Sequence, residues 1–165
     1  MNPLWSYFWP LFAAGLAIGA IGGLVAFRRR KRTTALAVGA ALSIAGAALW
    51  HGAGGAADRF TVQVERSARA TLDYYEMTRV TARLHRAPLT RRLILSGPAD
   101  DFQRSELVRI MGALPGVGRA RWSSGGGGVP LIVEAMIAAV AGFLTGAVLA
   151  YLVDLRRRYN AQWKW

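Results

Sequence analysis

The sequence predicts a membrane protein built from three transmembrane α-helices, with a small α+β domain inserted between the second and third. Three observations predict it. Charge is segregated: residues 4–27 hold no charged side chain, 33–57 only His51, and 129–153 only Glu134. Each of these stretches exceeds the ~20 apolar residues that cross a hydrocarbon core about 30 Å thick. Basic clusters follow the first and third stretches, and from 58 to 122 the pattern changes to that of an amphipathic helix and half-buried strands.

Taken in order, residues 4–27 read as the first transmembrane helix. A secretory signal carries its positive charge ahead of the apolar run, and "MNPLWSYFW" has none, so the segment reads as an uncleaved anchor. Residues 28–33 form a basic loop (Arg28, Arg29, Arg30, Lys31, Arg32), and 34–53 the second span. Residues 129–153 make the third span, and 154–165 a basic, aromatic tail with Arg156, Arg157 and Arg158. Short cytoplasmic loops carry the Lys/Arg excess, so 28–32 and the tail are expected inside, with their arginines at lipid headgroups. The N-terminus and the long central loop are then expected outside, in the periplasm of a bacterial inner membrane. Trp5, Tyr7, Phe8, Trp9 and Trp50 fall at the outer interface in this reading, and Tyr151, Tyr159, Trp163 and Trp165 at the inner one.

The spans are rich in small residues at four-residue spacing. Gly15, Gly19 and Gly23 share one face of the first helix. Ala35, Gly39, Ser43 and Ala47 share one face of the second, and Ala138, Gly142 and Gly146 one face of the third. Such faces let backbones approach closely in lipid, within one chain or between chains.

The central loop reads as helix–strand–strand–helix–strand over 58–122. Val64, Ala68, Leu72 and Tyr75 recur at helical spacing. "RVTARLH" (79–85) alternates as a half-buried strand, "APLT" turns, and "RRLILSG" (91–97) supplies a second strand. Asp100, with Gln103 three residues on, marks a capping box ahead of a helix with Leu107, Ile110, Met111 and Leu114 on its buried face. "PGVG" ends that helix, and a third strand is expected around 117–122. "SSGGGG" (123–128) reads as a flexible linker.

A strand ending in "LSG", a capped helix with "FQR" in its first turn, and "LPGV" before a last strand resemble a BON domain over about 60–122. The glycines of the two motifs stand here at Gly97 and Gly116. The resemblance implies a periplasmic module that binds phospholipid surfaces or partner proteins and brings no catalytic residues.

Charge and chemistry narrow the function. The net charge is +12, but nine of the 21 Lys/Arg flank spans and the other twelve are mixed with seven acids in 58–121, which argues against a nucleic-acid partner. With no cysteine there is no thiolate chemistry or disulfide. The two histidines lie far apart in sequence, no Ser–His–Asp pattern appears, and "GALPGVG" lacks the lysine and preceding strand of a phosphate loop. No cofactor, metal or catalytic residue is therefore expected, and the chain is not read as an enzyme. The outward strand face is expected to present Arg79, Arg83, His85 and Arg92, with Arg119 and Arg121 nearby, as a basic surface for an acidic partner or headgroup. Glu134, about one turn inside the third span, is expected to form an interfacial polar pair with His51 or with a neighbouring subunit. Two functions remain open. One is an accessory or scaffold subunit of a larger inner-membrane complex (respiratory, photosynthetic or envelope), docking by its small-residue faces and periplasmic domain. The other is a self-contained envelope protein that binds anionic phospholipid.

Overall fold

The computed structural model describes residues 2–28, 32–122 and 127–162. The expectations for Arg29, Arg30, Lys31, the linker residues 123–126 and the last three residues, and for the Arg28 side chain, lie outside the described residues. The elements run α1 (Pro3–Arg28), α2 (Arg32–His51), α3 (Ala56–Tyr74), β1 (Thr81–Arg86), β2 (Leu89–Ser96), α4 (Asp101–Gly112), β3 (Arg119–Arg121) and α5 (Leu131–Gln162). Among the described residues three helices, α1, α2 and α5, are long and apolar enough to cross a membrane.

The chain divides into two compact units. One is helical (Phe8–Gly54 with Ala135–Trp165), and the other is α+β (Met1–Tyr7 with Gly55–Glu134). The α+β unit thus reaches beyond the 58–122 expected from the sequence. Its extra residues have identifiable contacts. Tyr7, placed by the sequence at an aromatic belt, is 2% exposed, and its ring lies 5.4 Å from that of Phe60. At the far end, Thr90 bridges to Pro130 and Arg91 pairs with Glu134.

Helix α1 opens with Asn2 Oδ1 accepting from the Leu4 N–H at 3.0 Å, and with proline at the first helical position, where its missing donor costs nothing. The buried line of α1 runs Leu11, Gly15, Gly19, Gly23, Ala26, and that of α2 runs Gly39, Ser43, Ala47. On α5 it passes through Ala135, Ala139, Gly142, Phe143, Gly146 and Ala150, so Ala139 rather than Ala138 continues the face. Helix α5 also runs on to Gln162 rather than stopping near Val153. Its 32 residues span about 48 Å at 1.5 Å per residue, well beyond a bilayer core. Asp154 and Arg158, four residues apart and 2.8 Å from each other, support the extension.

In the α+β unit, β1 and β2 form an antiparallel hairpin turned at Ala87–Pro88, and β3 lies parallel to β2, in the order β1-β2-β3. Helix α4 is the crossover that parallel pairing requires. Register places Leu84, Leu93 and Ala120 side by side, all at most 3% exposed. Val64, Ala68 and Leu72 of α3, with Leu107 and Met111 of α4, complete the core. Tyr75 does not extend the α3 stripe: the helix ends at Tyr74, and Tyr75 is 46% exposed. The turn that follows holds Glu76 at φ 58°, a left-handed conformation that is costly for any residue with a Cβ. The Asp100–Gln103 capping box forms, with Gln103 N–H donating to Asp100 Oδ1 at 2.7 Å. Gly116 has φ 97°, and a Cβ there would meet Val64 Cγ2 at 2.6 Å, so "PGVG" needs its first glycine for conformation and for space.

Candidate functional site

The sheet has one face covered by apolar side chains and one open face, and the open face is where the basic residues gather. Alternation along a strand sends successive side chains to opposite sides. Register then fixes neighbours across strands: Arg83 stands opposite Ile94, which stands opposite Arg121, and Arg92 stands opposite Arg119. Four arginines therefore share one face, and Thr81, Thr90 and Ser96 supply its other polar side chains. No acidic residue occurs in the three strands. Arg83, Arg119 and Arg121 are exposed.

Arg92 departs from the expected exposed position. It is 6% exposed, and Thr90, on the same side of β2, is 3% exposed. Both line a hollow of about 350 Å³ between the beginnings of β2 and β3 and the segment 127–129. The expected strand also shifts at its ends. Arg79 lies before β1, exposed in the turn that leads into the strand. His85 sits where the β1–β2 register breaks, and its Nδ1 is 3.0 Å from the Pro88 carbonyl oxygen. The surface is therefore built from Arg83, Arg119 and Arg121, with Arg92 beneath it.

Arg91, which the sequence pattern does not single out, joins three segments of this unit. Its Nε donates to the Gly116 carbonyl at 3.2 Å, and its Nη1 to Glu134 Oε2 at 3.2 Å. Its own carbonyl accepts from Gly118 N–H at 2.7 Å. It thus ties the "PGVG" turn and the first turn of α5 to β2. The only sequence signal was the doubled "RR" after Thr90, which alternation sends to opposite faces. Glu134, expected to pair with His51, has an ion-pair partner in Arg91 that was not expected. An acid near the end of an apolar segment calls for a cation, and the sequence offered no way to choose one 43 residues away.

The small residues expected to pack helices do so within the chain. A Cβ on Gly15 would fall on the Ala139 carbonyl oxygen, and one on Gly19 on the backbone of Phe143. Gly142 and Gly146 likewise face the Phe12 and Leu16 carbonyls. A Cβ on Gly23 would lie 2.7 Å from Ala150 Cβ, and one on Gly39 2.7 Å from the Phe143 ring. Ser43 is buried and donates to the Gly39 carbonyl at 3.0 Å. Arg32, Arg156, Arg157 and Arg158 are exposed at helix ends. Among the described residues no three His, Asp or Glu side chains come together as a metal-donor set.

No family model matches this chain, and no characterised protein or solved structure is detectably similar to it.

Proposed function

We propose that this chain is a non-catalytic scaffold subunit of a larger bacterial inner-membrane complex, docking an acidic partner surface through the open face of its sheet. The observation that carries this reading is the arginine face, with Arg83, Arg119 and Arg121 exposed and no acid in the three strands. A single-sign surface of this kind steers and orients an oppositely charged partner. A periplasmic position for the domain is supported by the basic loop and tail, because short cytoplasmic loops carry the Lys/Arg excess. The resemblance to BON domains, modules of binding rather than chemistry, supports the same reading.

The glycine faces of α1 and α5 are occupied by one another, so they are not free for a partner. Docking then falls to the domain, and to large apolar side chains such as Ile21, Leu42, Leu49 and Leu144, each at least 57% exposed. The test is native mass spectrometry of the tagged full chain after mild-detergent extraction from its own membranes. A partner at fixed ratio, released by the paired Arg83→Glu and Arg121→Glu substitutions, is the expected result. A lone chain or homo-oligomer carrying only lipid would overturn the subunit reading.

A further inference from the structure

Within the helical unit, α1 and α2 leave an open groove of about 480 Å³ between them. Ile18, Ile21 and Val25 wall it on α1, and Val38 and Leu42 on α2. Gly22 and Gly39 line it without side chains, and the Phe143 ring lies behind them. A Cβ on Gly39 would press on that ring at 2.7 Å, whereas one on Gly22 would sit 4.0 Å from it, in ordinary contact. Glycine at 22 is therefore not required for helix packing, and its effect is to keep the indentation open. Exposed leucine on a membrane helix needs no explanation, since lipid tails are equally apolar. An apolar indentation with a charged mouth does.

The groove ends beside a run of cations. Val25 lies three residues before Arg28, where α1 ends, and Thr34, which also lines the groove, lies two residues after Arg32, where α2 begins. Along the helix axes that is a separation of only about 3–5 Å between apolar lining and cation. Residues 28–32 are all Arg or Lys, no Asp or Glu occurs from 1 to 57 to neutralise them, and Arg32 is exposed. The chemistry that matches is an amphiphile whose anion is joined directly to an apolar chain, which is the build of an anionic phospholipid. A partner helix fits less well, because it would have to carry its own acid at the edge of an apolar span, where ionisable groups are costly. Moving an acyl chain from bilayer to groove buries nothing from water, so selectivity rests on the headgroup, at about fivefold for each nearby Lys or Arg.

We infer that the α1–α2 groove is a binding site for one anionic phospholipid, with an acyl chain seated over Gly22 and the phosphate at the cationic end marked by Arg32. The lipid covers Ile21 and Leu42 and leaves Leu49 and Leu144 to a protein partner. The site stands independently of the subunit reading, since neither a partner nor the arginine face of the sheet enters it.

The full chain is stripped of lipid in a maltoside detergent and titrated with phosphatidylglycerol or with phosphatidylcholine of the same acyl chains. Bound lipid is counted by native mass spectrometry. The expected result is a first phosphatidylglycerol that saturates near one per chain and binds about tenfold or more tighter than phosphatidylcholine. Gly22→Leu fills the groove and weakens that binding about fivefold or more. Ala141→Leu, at an exposed α5 position outside the groove, leaves it within about twofold. Arg32→Gln weakens phosphatidylglycerol about fivefold and leaves phosphatidylcholine unchanged. Should Gly22→Leu not yield folded protein, Ile21→Trp carries the comparison, at a lining position that is 65% exposed. A photoreactive benzophenone side chain at position 38, photolysed in native membranes, labels lipid. The inference is overturned if the two lipids bind alike, if Ala141→Leu weakens binding as much as the groove variants, or if the photolabel yields a discrete protein adduct, which would assign the groove to a partner helix.

Discussion

In the helical unit, Gly15, Gly19, Gly142 and Gly146 bring backbone against backbone. In the α+β unit, Leu72, Leu93, Leu95 and Met111 bring side chain against side chain, each fully buried. The difference follows from the solvent each unit is built for. Lipid tails are as apolar as leucine, so burying leucine between membrane helices gains little, and association rests on close van der Waals approach. In water, removing apolar side chains from solvent is itself the driving force. The helical unit should therefore be damaged by adding atoms, and the α+β unit by removing them.

The largest expected effect comes from adding them. Gly19→Leu or Gly142→Leu places a side chain where the facing backbone already lies, and should cost about 4 kcal/mol, enough to separate α1 from α5. Gly46→Leu, with nothing within 4 Å of its Cβ, should be neutral. Thermal unfolding of the full chain in detergent checks both, and equal effects at 19 and 46 would sink the backbone-contact account. Next in size is removal from the α+β core. Leu93→Ala, at a position with no solvent exposure, should cost about 3 kcal/mol, read as faster hydrogen exchange across β1 and β2. No change in exchange there would show that the sheet draws its stability from elsewhere.

How much of this was legible in the sequence depended on the range over which each feature is decided. The capping box at Asp100, the phase of β2 and the small-residue lines of α1 and α2 are settled by neighbours within a few residues, and they could be read directly. The burial of Arg92 could not, because alternation gives the face of a side chain and not what later covers it. The pairing of Glu134 with Arg91 and the packing of Tyr7 on Phe60 join distant segments, 43 and 53 residues apart by number, and no local pattern selects those partners. The overshoot of α5 past Val153 was missed for another reason. Hydropathy marks where an apolar stretch ends, whereas the helix ends only where its backbone does.

A smaller effect should reverse the sign. Glu76 is held at φ 58° after α3, a conformation that glycine adopts without penalty. Glu76→Gly should stabilise the α+β unit by about 1 kcal/mol, less whatever the freer unfolded chain returns. Slower exchange at the end of α3 would be its signature, and faster exchange would mean that the side chain has a role that outweighs the strain. Within this unit, then, removing atoms is harmful in the core and helpful at a strained turn.

The smallest effect is electrostatic and concerns α4. Arg109 donates to Glu106 through Nε at 3.1 Å and Nη2 at 2.6 Å, and this hydrogen bonding holds the Glu106 carboxyl below the ordinary carboxylate range. A carboxyl that binds its proton less readily in the folded state adds stability above its unfolded pKa, near 4.3, and loses it as pH falls through the lowered folded value. Both groups are solvent-exposed, so the contribution is small and screened by salt. Glu106→Gln should loosen α4 slightly at pH 7 and leave it indistinguishable from the natural chain at pH 3, as measured by hydrogen exchange of α4 peptides at each pH. A gap that persisted at pH 3 would assign the effect to side-chain packing. The surface of the α+β unit would then follow the same rule as its interior, with atoms in contact outweighing charge.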